Sequence, residues 1–209
     1  MALMASASSS SNFQALEPGS YLARIVRVLD LGTQESELYG DKHQVLIMFE
    51  VASERRKFQI DGEEKEGPAV QSAFWTLSAH EKSNLRACYE SCVGPLAEGA
   101  DFRLDALLDR PCQIQVGLTT TGKAKIASVM GLARGLKVPP ADLPLLYLEV
   151  TKDGYRADDF EKIPAGIRAI IERSPEWQQV TGALAKKFPV PGDPGQPPPH
   201  TDDDFVDPF

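Results

Sequence analysis

The sequence is poor in the residues that catalysis and metal binding usually need. It holds three histidines, three cysteines and two tryptophans in 209 residues. Three cysteines cannot all pair, which excludes a full disulfide framework. Cys88 and Cys92 stand four apart in a helical pattern, and Cys112 begins a strand pattern. None has the knuckle spacing or the histidine partners of a zinc site. They read as small buried residues in a reducing compartment. No apolar run approaches the roughly 20 residues of a membrane span. Met1 to Asn12 is rich in Ser and Ala and uncharged, so the basic region of a secretory signal is missing. Nucleophilic motifs are missing too. No G-x-S-x-G occurs, His80 beside Ser78 fits a helix start, and Asp158-Asp159 has no histidine near it. No enzyme, metal or cofactor is expected.

An overall excess of cations is also lacking. The net charge is −8. Five of the 30 acids lie from Pro189 onward, where Lys and Arg are absent, so residues 1–188 hold 22 cations against 25 anions, a net of −3. That is not the basic footprint of a duplex-binding domain, and a nucleic-acid site here has to be a local groove.

What is present is alternation. Ser20 to Leu31, His43 to Ala52, Gln71 to Ser78, Pro111 to Thr119 and Lys123 to Met130 read as strands. In the second, His43, Val45, Ile47, Phe49 and Val51 share a face. Ser53 to Val70 reads as a long exposed loop or a flexible hairpin turning at Asp61-Gly62. Ala79 to Val93 has helical spacing, with Ser78 and Glu81 as a capping box and Gly94-Pro95 as the stop. Asp101 to Leu108 can add a short helix. Three strands, a helix and a two-strand hairpin are the element order of the OB-fold. The expected fold is mainly β: a five-stranded OB-fold barrel with a helix between strands 3 and 4. A small α/β extension and a disordered acidic tail follow it. In the extension, Leu145 to Thr151 can form an extra strand. Ala157 to Arg173 carries a helix whose second half begins near Pro164. Trp177 and Phe188 can dock the extension on the barrel. The divisions are a leader at 1–15, the barrel at 16–137, the extension at 138–188 and a Pro-rich spacer with the tail at 189–209.

Gly117 to Ala124 matches the Walker A pattern up to its last position, where Ala124 replaces the hydroxyl that would hold Mg²⁺. The P-loop also needs a helix next, and Lys123 starts an alternating strand instead. The segment reads as a β-hairpin whose Lys123 and Lys125 share a face, pointing away from Ile126.

Aromatics and cations interleave around strands two and three, as a single-strand binder requires. With Phe74 facing the core, Trp75 faces the other way and can stack on a base. Tyr39 and Phe58 flank these strands, beside Lys42, His43, Arg55, Arg56 and Lys57. Arg24 and Arg27 lie on strand one, on opposite faces. With Lys123 and Lys125 these are the candidate DNA-binding residues. The alternative for the aromatics is core or rim packing. For Arg55-Arg56-Lys57 it is a solvated run answered by Glu63, Glu64 and Glu66.

The chain ends Asp202-Asp203-Asp204-Phe205-Val206-Asp207-Pro208-Phe209. An anionic stretch with an apolar terminal residue cannot pack a core, but recognition modules capture it with a basic rim and an apolar pocket. It resembles the acidic tails of single-stranded DNA-binding proteins, without the bacterial Asp-Asp-Ile-Pro-Phe ending. From about Phe13 to Trp177 the chain also resembles bacteriophage single-stranded DNA-binding proteins with an OB-fold. The matching residues are Pro18 to Arg24, Asp30 to Gln34, Phe49-Glu50, Thr76 to Arg86 and Thr121 to Ile126. The resemblance implies binding of single strands in phage DNA replication, recombination or repair, in the host cytoplasm. It also implies recruitment of replication or recombination proteins through Asp202, Asp203, Asp204, Phe205, Asp207, Pro208 and Phe209. No membrane partner is implied, and the oligomeric state, homodimer included, stays open. So do two other readings: an OB-fold adaptor that binds protein, and a binder that also accepts dsDNA or RNA.

Overall fold

The computed structural model describes residues 16–35, 40–60, 63–151 and 154–187, without the side chains of 58–60, 63 and 183–187. The leader, Tyr39, the turn at Asp61-Gly62, Phe188 and the whole spacer and tail lie outside the described residues.

The chain is mainly β. The strands are β1 Gly19–Gln34, β2 Lys42–Ile60, β3 Glu63–Thr76, β4 Pro111–Leu118, β5 Ala124–Gly131 and β6 Leu146–Leu148. The helices are α1 Asn84–Cys92, α2 Ala157–Glu161, α3 Ala165–Glu172 and α4 Pro175–Lys187, with a 3-10 turn at Leu104–Leu107. The sheet order is β3-β2-β1-β4-β5, all antiparallel, and β6 pairs with β1 in parallel. Edges β3 and β5 approach each other, but no ladder joins them among the described residues. The expected five-stranded barrel is thus a six-stranded sheet that is not closed.

β2 and β3 are longer than their apolar patterns. The charged segment after Ala52 forms a two-stranded arm, pairing Arg55 with Pro68 and Lys57 with Glu66. Of the two readings left open for 53–70, the hairpin is the one found. Charge hid it, because an arm projecting from the sheet has little apolar face to bury.

Two cores flank the β1–β2 pair. The inner one gathers Ile25, Val28, Val45, Ile47, Phe49, Ile114, Val116 and Leu85. The outer one gathers Leu29, Leu31, Leu46, Leu148, Phe160, Ile163, Ile171 and Val180. β1 serves both because its register slips between Ile25 and Arg27 and again between Asp30 and Gly32. Each bulge adds a residue and resets the alternation. The first slip overturns the expectation for Arg24 and Arg27. They pair with Glu50 and Met48, so they share the outer face.

Helix α1 is shorter than expected and begins differently. Ser83, not Ser78, caps it, its hydroxyl accepting from Leu85 N at 3.2 Å. The Ser78 hydroxyl instead accepts from His80 N in the preceding turn. The 157–173 helix is two helices, because Pro164 cannot continue the first. α4 extends past the expected helices. Its Trp177 stacks on Phe160 at 4.3 Å and meets Tyr155 edge-on at 5.1 Å.

The linker at 137–144 is bound across the outer face. The buried Glu50 carboxylate accepts from Asp142 N at 2.8 Å and Leu143 N at 2.9 Å. A carboxylate out of water needs such donors. Replacing Glu50 with Ala should lower stability by about 2 kcal/mol, the worth of bonds to a charged acceptor. Urea unfolding measures it, and an unchanged midpoint would show that the linker is held by other contacts.

Candidate nucleic-acid interface

The predicted DNA-binding residues do not converge. Arg24 is committed to the fold. Its guanidinium donates to the Asp109 carboxylate at 2.9 Å and to the carbonyls of Asp109, Val138 and Pro139 at 2.7 to 3.0 Å. It is a clamp on the linker, with four of its five N–H donors committed to the fold. Arg27 is half-buried, and desolvation lowers its pKa. Trp75 faces inward. It pairs with Val45, packs against the inner core and meets Phe49 edge-on at 6.2 Å. Phe74 consequently faces outward and is 50% exposed. The assumed parity of β3 is inverted. Small Ala69 and Ala73 mark the inner face, a signal that the apolar Val70 and Phe74 on the outer face concealed.

The arm cations are answered by acids. Arg55 bonds Asp142 at 2.7 Å and lies 3.3 Å from Glu66, and Lys57 lies 2.7 Å from Glu64. Arg56 and Lys42 are engaged as well. Phe58 lies in β2, its side chain outside the described residues, as Tyr39 is entirely.

His43 joins the end of the β1–β2 pair to the extension. Its Nε2 lies 2.6 Å from Asp30 Oδ1, and its Nδ1 lies 3.7 Å from Glu176 on α4. Asp30 also accepts from Gly32 N and Val150 N, and Glu176 from Thr33 N and Oγ1. Gly32 permits the approach: its φ is +68°, and a Cβ there would lie 2.5 Å from Ser174. The bond to Asp30 raises the His43 pKa against burial. Burial raises that of Asp30, but the bonds from His43 and Gly32 outweigh it and lower the pKa. Glu176 is lowered likewise, its burial offset by Thr33.

The groove beside this junction, about 380 Å³, is lined by Asp30, Asp105 and Glu149 against Arg103, which Asp105 already binds. Its charge is wrong for a phosphate backbone.

Lys123 and Lys125 stand differently. The turn carries Gly122 at φ +76°, and Thr119 N donates to Lys123 O at 2.8 Å. A strand follows, so the segment is a hairpin and not a phosphate loop. Both lysines are exposed, with no ion pair among the described residues. They belong to a longer feature that motif reading missed. Between Asp109 and Asp142 the chain carries Arg110, Lys123, Lys125, Arg134 and Lys137 and no acid. All five are exposed. Counting acids along the chain, rather than looking for clustered cations, would have found it. Exposed Leu118, Met130 and Leu136 are interspersed. β3, which carries the exposed Phe74, approaches β5, which carries Lys125.

A scan against protein-family models and a search of curated proteins both find no match for the chain.

The junction predicts a pH optimum for stability. His43, raised above 6.5, contributes fully below that pH and less as pH rises through its folded value. Asp30 and Glu176, lowered from 3.8 and 4.5, contribute above those values and lose their contribution as pH falls further. The thermal midpoint should therefore peak between about pH 4.5 and 6.5 from this network. His43→Gln should flatten the alkaline arm. An alkaline arm that is the same in the variant would exclude His43 as its cause.

Proposed function

We propose that this protein is a non-enzymatic, sequence-tolerant single-stranded DNA-binding protein built on an OB-type barrel. The observation that carries the reading is the acid-free stretch of five exposed cations from Arg110 to Lys137, in a chain of net charge −8. Such a local surface can track phosphates even though the whole molecule is anionic. The half-exposed ring of Phe74, at the neighbouring edge strand, is a platform on which a base can stack. The strand order β3-β2-β1-β4-β5, with β3 and β5 approaching, supports the OB assignment. The role that follows is protection of single strands in phage DNA replication, recombination and repair, in the host cytoplasm. Asp202 to Phe209 would recruit replication or recombination proteins, and the prolines of 189–199 would give that peptide reach.

The extension alters which face serves. Linker, β6, α3 and α4 occupy the outer side of β1–β2, leaving β3 and the β4–β5 hairpin open. DNA contacts would therefore come from Phe74, Lys123, Lys125, Arg134 and Lys137, in place of Trp75, Arg24 and His43.

Titration of labelled oligo-dT by fluorescence anisotropy tests the reading. Affinity should fall with salt, with a log–log slope of about −0.7 for each phosphate neutralised. Lys123→Gln with Lys125→Gln should make the slope shallower by about 1.4 if both lysines contact phosphates. Phe74→Ala should weaken binding by about 1–3 kcal/mol. Absence of binding at low salt would refute the function. Binding unaffected by these changes would move the site elsewhere.

A further inference from the structure

The three cysteines meet in one place. Cys88 and Cys92 lie one turn apart on α1, and Cys112 lies on the inner face of β4. Cys92 packs against the inner core cluster that holds both Cys88 and Cys112. Cys88 and Cys112 are buried, while Cys92 is half-buried. Gly131 makes the meeting possible. It pairs with Cys112 across β4 and β5, and a Cβ on it would stand 2.4 Å from the Ser91 carbonyl oxygen. The end of α1 is thus seated directly on the sheet beside Cys112.

The environment separates the three thiols. Hydrogen bonding with Cys112 and then Cys88, and the field of the Arg110 guanidinium, favour the Cys92 thiolate. Together they outweigh burial and hold the Cys92 thiol well below the usual thiol range. The same bonds, with burial, push Cys88 and Cys112 up. A partly accessible thiolate beside a second thiol is the arrangement of a reactive cysteine and its resolving partner. Among the described residues no three His, Cys, Asp or Glu side chains are grouped to hold a metal ion.

We propose that Cys92 is an oxidation site, reacting with hydrogen peroxide to form a reversible disulfide with Cys112. The Cys92 thiolate attacks one peroxide oxygen, the O–O bond breaks, and the departing hydroxide takes up a proton to leave as water. Cys92 is then a sulfenic acid. The Cys112 sulfur attacks it, the S–O bond breaks, and the hydroxyl leaves as a second water with the Cys112 proton. Two thiols are oxidised to one disulfide, and one peroxide is reduced to two waters. Cys112, rather than Cys88, is the partner. Side chains four apart on a helix hold their Cβ atoms about 5–6 Å apart, beyond the roughly 3.5–4.5 Å of a disulfide. The bridge would fasten the C-terminal end of α1 to β4 and so lock the helix onto the barrel.

The test uses the full chain, reduced and then exposed to hydrogen peroxide, with peptide mapping after acid quench and alkylation. The expected product is a peptide pair linked through Cys92 and Cys112, lost on treatment with dithiothreitol. Cys88→Ser should keep the bridge. Cys112→Ser should stop at a Cys92 sulfenic acid that dimedone traps. A measurement on the unaltered protein stands beside the variants. At pH 6, iodoacetamide should label Cys92 about tenfold faster than a simple aliphatic thiol. Labelling no faster than the simple thiol overturns the proposal. So does a peroxide product linked only through Cys88 and Cys92, or only between chains.

Discussion

Burial of the β1–β2 pair on both faces is the constraint on which the rest of the structure depends. A sheet with one wet face would alternate apolar and polar residues. Here Leu46 is as buried as Val45 and Ile47, and Leu29 as buried as Val28. The second layer comes from the C-terminal extension, which contributes Leu148, Phe160, Ile163, Ile171 and Val180 to a core of its own. Polar groups then secure the cover: Arg24 holds the linker carbonyls, Glu50 its amides, and the His43–Asp30–Glu176 network the end of α4. Arg24, Asp30 and Glu50 lie on the β1–β2 pair and bond to backbone groups later in the chain, and Glu176 on α4 bonds back to Thr33.

That cover decides where the surface chemistry is left. Arg24 on β1 is drawn onto Asp109 and the linker, and His43 at the start of β2 into the junction. Those on the β2–β3 arm are neutralised locally by Glu64, Glu66 and Asp142. Arg110, Lys123, Lys125, Arg134 and Lys137 are exposed, and no acid occurs within that stretch of chain. Exposed surface pairs are worth little to stability, so the lack of ion pairs to these cations among the described residues costs the fold little and leaves them available to an anionic partner. The same region backs onto the cysteine cluster, where Arg110 reaches toward Cys92.

The five principal strands, their order and the inner face of β2 were legible because period-two burial against a core is a local signal. The β4–β5 hairpin was legible from its turn residues and from the alternation after Gly122. What failed was parity. Bulges at Val26 and Leu31 each add a residue, and no residue pattern announces them, so Arg24 and Arg27 were placed on opposite faces. In β3, Phe74 and Trp75 are adjacent aromatics, and composition alone cannot say which points inward. The pairing of Val45 with Trp75 decides it. The structural roles of Arg24 and His43 depend on partners more than a hundred residues away, Val138 and Glu176. No spacing rule reaches that far. The cysteine cluster was missed for a similar reason, since Cys112 reaches the helix only through the fold.

The central claim is that single-stranded DNA lies on the open outer surface of β3 and the β4–β5 hairpin, and not on the covered β1–β2 face. Hydrogen exchange with and without saturating oligo-dT tests it most directly. The account predicts added protection in residues 70–76 and 118–137, with little change in 145–151 and 165–180. Protection concentrated in the extension, or on the arm at 53–68 alone, would contradict it.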